Sequence, residues 1–159
     1  MVDLGVTYVR IAEFAWSRIE PKRNTFAWKW LDDVIEILGA AGLRIIMCTP
    51  TATPPKWLID ECPEILPWDS QGRSRGFGSR RHYCFSSPVW HEETRRICEI
   101  LADRYGENSA VAGWQLDNEY GCHDTVQSYT PHAKSAFQGW LMQRYDTIEA
   151  LNEAWGNSF

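Results

Sequence analysis

Apolar positions along the chain switch repeatedly between a strand-like and a helix-like period. Val6–Ala12 (VTYVRIA) is short and β-branched, follows a helix-ending Leu4-Gly5, and predicts a buried strand carrying Glu13 at its carboxyl end. Trp30, Leu31, Val34, Ile35 and Leu38 recur at helical spacing and stop at Gly42, which predicts an amphipathic helix with a glycine terminus. A second strand follows at Arg44–Thr49 (RIIMCT). The next segment, Pro50–Ser87, is rich in Pro, Gly, Ser and Arg and far exceeds the usual connection of about two to six residues. Its Trp57, Trp68, Phe77, Arg80, Arg81, Tyr83 and Phe85 mark it as a functional loop rather than a disordered one. A helix over Pro88–Tyr105 with Pro88 in its first turn leads to a third strand, Val111–Leu116 (VAGWQL). That strand runs into Asp117-Asn118-Glu119. A polar loop then reaches Thr130, and helical stretches begin near Pro131, covering Ala133–Arg144 and Ile148–Trp155.

Strands alternating with helices predict an α/β chain with a parallel sheet covered by helices. An open nucleotide-binding sheet would place a glycine-rich turn after its first strand, and the residues there are Glu13-Phe14-Ala15-Trp16-Ser17. Each predicted strand ends instead in polar or catalytic-type residues: Glu13, then Thr49 to Thr53, then Asn118-Glu119. Polar strand ends of this kind are expected where the loops of a barrel build a site on its carboxyl face.

Composition narrows the function class. With 44% hydrophobic residues in 159, the chain can bury a core. A net charge of -5, with Lys and Arg dispersed among carboxylates, argues against a nucleic-acid surface. Nine Trp, six Tyr and six Phe, often beside polar residues, suit a pocket for sugars, whose C–H faces stack on rings while their hydroxyls need polar partners. Core filling accounts equally for any single ring. The five cysteines are odd in number and contain no C-x-x-C pair, so neither a disulfide framework nor a zinc knuckle is predicted, and a reducing cytoplasmic compartment is the expectation. No apolar run reaches the roughly 18 residues of a membrane span, and Met1–Arg10 lacks signal-peptide character.

Glycoside hydrolysis uses two carboxyl groups, one to protonate the leaving oxygen and one as nucleophile or base. Glu119 is the best acid candidate, because it directly follows an apolar strand where burial is expected, and Asn118 beside it can bond a sugar hydroxyl. Glu13 and Asp117 are the other carboxylates in reach of a pairing. Asp117, two residues away on the same strand end, is poorly placed to stand across a sugar from Glu119.

The stretches EFAWSRIEP (Glu13–Pro21), TPTATPPKWL (Thr49–Leu58), FGSRRHYCFSSPV (Phe77–Val89), WQLDNEYGCHDT (Trp114–Thr125) and IEALNEAWGNSF (Ile148–Phe159) resemble the bacterial β-galactosidases of glycoside hydrolase family 42. The resemblance implies a (β/α)8 TIM barrel that cleaves terminal β-D-galactosides with retention, the whole of residues 1–159 being a piece of it, approximately strands 2 to 4 with their helices. It makes Glu119 the general acid/base at the end of strand four and Asn118 a partner of the galactose 2-hydroxyl region. Arg80 becomes a galactosyl contact, and Glu13 with Phe14 line the same pocket. The family nucleophile, a Glu ending strand seven, has no counterpart by strand count, so the fragment alone is expected to be inactive. The family often forms trimers, and a homo-oligomeric parent acting on small β-galactosides or galacto-oligosaccharides, without nucleic acid or membrane, is expected.

Some relatives hold zinc through four cysteines. Here Cys84 matches one position while Ser128, Thr130 and Ala133 occupy the others, so no metal and no cofactor are expected. Cys122, His123 and Asp124 diverge along the backbone and are read as structural. Two other readings remain open: a noncatalytic sugar-binding barrel, and a related glycosidase preferring arabinosides or fucosides.

Overall fold

The structure, a computed structural model, describes residues 1–157 apart from 79, 81, 123 and 124. Three strands, β1 (Tyr8–Ile11), β2 (Arg44–Cys48) and β3 (Val111–Gln115), pair in parallel in the spatial order β1-β2-β3. Parallel neighbours need long crossovers. The first contains α1 (Trp16–Ile19) and α2 (Lys29–Ala40); the second contains α3 (Lys56–Glu61) and α4 (Pro88–Tyr105). Helices α5 (Pro131–Arg144) and α6 (Ile148–Trp155) follow β3.

The register sets Val9 beside Ile45 and Ile11 beside Met47, and Cys48 beside Gln115, with an irregularity between Ile45 and Ile46 where β2 meets β3. Ile45 and Met47 are fully buried, on the face that receives the helices. Leu31 and Ile35 of α2 and Ile97 and Leu101 of α4 are buried in the same core, at the one-turn spacing that makes a single helical stripe. Each buried aliphatic side chain contributes about 1.5–3 kcal/mol of transfer free energy. Aromatics extend this core: Trp90 stacks on Tyr83 at 3.9 Å between centroids and meets Trp16 at 5.9 Å.

Helix starts follow local chemistry. Ser87 caps α4 by accepting from the Trp90 N–H with Pro88 in the first turn, and Thr130 and Thr147 cap α5 and α6 in the same manner. Neither α5 nor α6 buries a residue.

Two differences from the sequence reading stand out. The segment read as one long loop from Pro50 to Ser87 contains 3-10 turns at Pro50–Ala52 and Pro63–Ile65 and the helix α3. Three of its prolines stand at starts rather than breaks, since Pro50 and Pro63 occupy first-turn positions and Pro55 directly precedes α3. Short α1, unforeseen because four residues show no periodicity, buries Trp16 and Ile19 completely. It also buries Glu20, which accepts from Trp16 Nε1 at 3.0 Å, Asn24 N–H at 2.7 Å and Arg96 Nη2 at 2.8 Å.

Candidate active site

Each strand is followed within two residues by a polar side chain, Glu13 after β1, Thr49 after β2 and Asp117 after β3, and the backbone turns sharply at two of these ends. Ala12 after β1 has φ 78°, and Asp117 and Glu119 after β3 have φ 54° and 48°. Left-handed backbone at residues with a Cβ costs on the order of 1–3 kcal/mol each and concentrates at functional sites. At β3 these turns carry the Glu119 side chain out of the strand line.

Its carboxylate therefore does not lie buried behind the strand, as its apolar flank led us to expect; the side chain is 58% exposed. Oε2 of Glu119 accepts from Nη1 of Arg80 at 3.2 Å and lies 3.7 Å from the Cys122 thiol. The Arg80 guanidinium sits 5.3 Å from the centre of the Phe14 ring, a cation–π placement. Residues from the β1 end, the long loop and the β3 end thus meet in one place: Phe14, Arg80 and Glu119. Asn118 is buried at 6% exposure, and its backbone N–H donates to Asp117 Oδ1 at 2.6 Å.

Glu13 takes a different set of partners. It pairs with Arg10 at 3.2 Å, and Arg10 donates onward to Gln115 Oε1 at 3.0 Å, joining the first and third strands across β2. Burial, followed by the charge of Glu13, pushes the Cys48 thiol up to about 11. Glu13 therefore stands over the strand ends, while Phe14, the next residue, faces Arg80. Beside Arg80 opens a cleft of about 370 Å³ lined by Phe14, Ser17, Thr53, Pro54, Phe77 and His82. The hydroxyl of Thr53 is buried there without a hydrogen-bond partner among the described residues.

Asp117, Thr49, Thr51 and Tyr83 stood out in the sequence only as a spare carboxylate, a polar strand end and a loop aromatic; their joint role in holding the end of β3 did not. Asp117, 5% exposed, accepts from Thr51 Oγ1 at 2.9 Å and Tyr83 OH at 2.8 Å, while its own N–H donates to Thr49 Oγ1 at 2.7 Å. The repeated Thr at 49 and 51, just after β2, was the available signal. Arg81, His123 and Asp124 lie outside the described residues.

The four positions compared with zinc-binding relatives do not suit that ion. Cys84 Sγ is 3.1 Å from Thr130 Oγ1, and Ser128 Oγ accepts from the Trp68 N–H at 3.4 Å. One thiol among hydroxyls is not a thiolate set. Among the described residues no group of three His, Cys, Asp or Glu side chains is arranged to hold a metal ion, and no helix is long and apolar enough to cross a membrane.

Comparison with known proteins places this geometry. The chain is 61% identical over 159 residues to a β-galactosidase of Thermus thermophilus, covering 100% of this chain and 25% of that protein. The crystal structure of a β-galactosidase from the psychrophilic Marinomonas ef1 superimposes with a TM-score of 0.97 at 55% identity, covering 100% of this chain and 24% of that one. A polyextremophilic β-galactosidase from the Antarctic haloarchaeon Halorubrum lacusprofundi gives 0.96 at 54% identity, with the same coverage. The chain spans about a quarter of the length of these relatives. The family model described as β-galactosidase, glycoside hydrolase family 42, matches residues 1–159, and the chain belongs to that family.

Proposed function

We propose that this chain is the part of a retaining β-galactosidase that carries the general acid/base, Glu119. The observation behind this reading is the Arg80–Glu119 pair at 3.2 Å, set over Phe14 at the carboxyl ends of parallel strands. Family membership supports the substrate class, terminal β-D-galactosides in small glycosides or galacto-oligosaccharides. The three strands are read as strands two to four of a (β/α)8 barrel, with residues 1–159 a piece of that catalytic domain.

In the first step Glu119 gives its proton to the glycosidic oxygen as the bond to the anomeric carbon breaks, while a nucleophilic carboxylate attacks the opposite face. In the second step Glu119 takes a proton from the water that releases the sugar. The two carboxyl groups of a retaining enzyme stand about 5–5.5 Å apart across the sugar. Asp117 does not suit the nucleophile's place, because it is buried and bonded to Thr51 and Tyr83. By resemblance the nucleophile comes from strand seven of the parent. Arg80 forks toward sugar hydroxyls and Glu119 together, Asn118 offers its amide to the 2-hydroxyl region, and Phe14 with Glu13 wall the pocket. A cytoplasmic homo-oligomer, by resemblance a trimer, completes the reading.

The experiment is Glu119→Gln in the parent protein. Hydrolysis of methyl β-galactoside, whose leaving group needs a proton, should fall by at least about 10²-fold, and azide should restore turnover of an activated nitrophenyl galactoside. Unchanged hydrolysis removes Glu119 from this role. Nitrophenyl galactoside, fucoside and arabinoside compared side by side assign the sugar preference.

A further inference from the structure

The long loop that brings Arg80 and the turn that brings Glu119 come from distant parts of the chain. Residues 80 and 119 nonetheless meet at 3.2 Å, although both side chains are substantially exposed, so their own attraction is too weak to hold two segments in register. The connection that does so lies beneath them. Tyr83, three residues after Arg80 in the same loop, is 1% exposed and stacked on Trp90 of α4, which anchors the loop in the core. Its hydroxyl donates to Oδ2 of Asp117, and Thr51 from the end of β2 donates to the same oxygen. The other oxygen, Oδ1, accepts the N–H of Asn118, the residue between the two left-handed positions at 117 and 119. One buried carboxylate thus ties the loop of Arg80, the end of β2 and the turn of Glu119.

Building on the proposed function, we infer that Asp117 is the positioning residue of the acid/base: it acts through the Asn118-Glu119 turn to hold the Glu119 carboxyl where the leaving oxygen sits. Asp117 is 5% exposed and its two oxygens are engaged by Thr51, Tyr83 and the Asn118 N–H, so its role is exerted through the turn. A proton donor displaced by about 1 Å loses on the order of 10²-fold in rate. In the first step, which kcat/KM reports, the loss is confined to substrates whose leaving group needs a proton, whereas the second step, where Glu119 acts as base, slows for every substrate. Selectivity in kcat/KM separates positioning from general support of the fold, which would lower kcat/KM of every substrate alike.

The test is Asp117→Ala, Asp117→Asn and Tyr83→Phe in the parent protein, assayed on methyl β-galactoside and on 2,4-dinitrophenyl β-galactoside, with thermal unfolding in parallel. Asp117→Ala should cut kcat/KM on the methyl glycoside by about 10²-fold and kcat/KM on the dinitrophenyl glycoside by less than about tenfold. Asp117→Asn should recover most of the loss, since its carbonyl still accepts from Asn118 and its two N–H groups meet the hydroxyls of Thr51 and Tyr83. Tyr83→Phe should show the same selectivity at smaller size. Equal losses on both substrates, or none, overturn the inference. Should Asp117→Ala fail to fold, the selectivity of Tyr83→Phe decides in either direction. A wild-type parent that cleaves neither glycoside fells the proposed function and this inference with it, and the wild-type rate tells that failure from a failure of Asp117 alone.

Discussion

Arg96 Nη2 donates to Oε2 of Glu20 at 2.8 Å, and Glu20 is fully buried. Arg96 also bonds Glu93, which in turn accepts from Arg23 at 2.6 Å, so a chain of charges links the residues after α1 to α4. Removing one member of a buried pair strands the other in low dielectric, at about 3–5 kcal/mol. Glu20→Ala and Arg96→Ala are each expected to lower unfolding free energy by about that amount. The double variant should cost less than the sum of the singles. Urea titration measures all three, and strict additivity would refute the coupling.

Arg80 should behave in the opposite way. Its pair with Glu119 is open to water, so Arg80→Ala is expected to change stability by less than about 1 kcal/mol. Its kcat/KM on a nitrophenyl galactoside should nonetheless fall by about 10²-fold, and Arg80→Lys should recover only part, lacking the planar fork. A large drop in Tm with normal turnover would reverse this assignment.

Asp32, Arg104 and Tyr105 form a second cluster, between α2 and the end of α4. The hydrogen bond from Arg104 holds the Asp32 carboxyl below the usual carboxylate range despite partial desolvation. Its stabilisation is therefore present above about pH 4 and is lost as pH falls through the lower folded value. Burial, then the bond to Asp32, pushes the Tyr105 hydroxyl up to about 12 from 10. That contribution is complete below pH 10 and disappears as pH rises toward 12. Tm measured against pH should show both losses, Tyr105→Phe flattening the alkaline one and Asp32→Asn the acid one. An unaltered alkaline slope in Tyr105→Phe would count against the cluster.

All five cysteines are free. Burial pushes the thiols of Cys48 and Cys98 up to about 11. At pH 8 roughly one in a thousand of each is thiolate, the reactive form. Iodoacetamide at that pH should leave both unmodified in the native protein and alkylate both after denaturation, as read by peptide mass spectrometry. Rapid native labelling of Cys98 would contradict its burial.

Much of the architecture was legible in the residues themselves. β-Branched runs mark β1 and β2, the apolar stripe marks α2, and Pro88 and Pro131 mark helix starts, because period and a first-turn proline are local properties. The blocks around Glu13, Arg80 and Glu119 pointed to the family for the same reason. Helices α1 and α3 escaped notice because each is too short to show a period, and their formation rests on burying Trp16, Ile19 and Leu58 against distant partners.

The identity of the candidate residues was thus decided by the chain's own order of side chains, and their arrangement was not. That Arg80 would reach Glu119 rather than Glu13, that Glu119 would stand in water, and that Asp117 would sit beneath them collecting hydroxyls from Thr51 and Tyr83 all depend on where three segments converge. Left-handed backbone at 117 and 119 is tolerated only where such packing compels it. Local sequence carries propensity and chemistry; distances between residues 39 or 66 positions apart arise only when the sheet and its core bring them together.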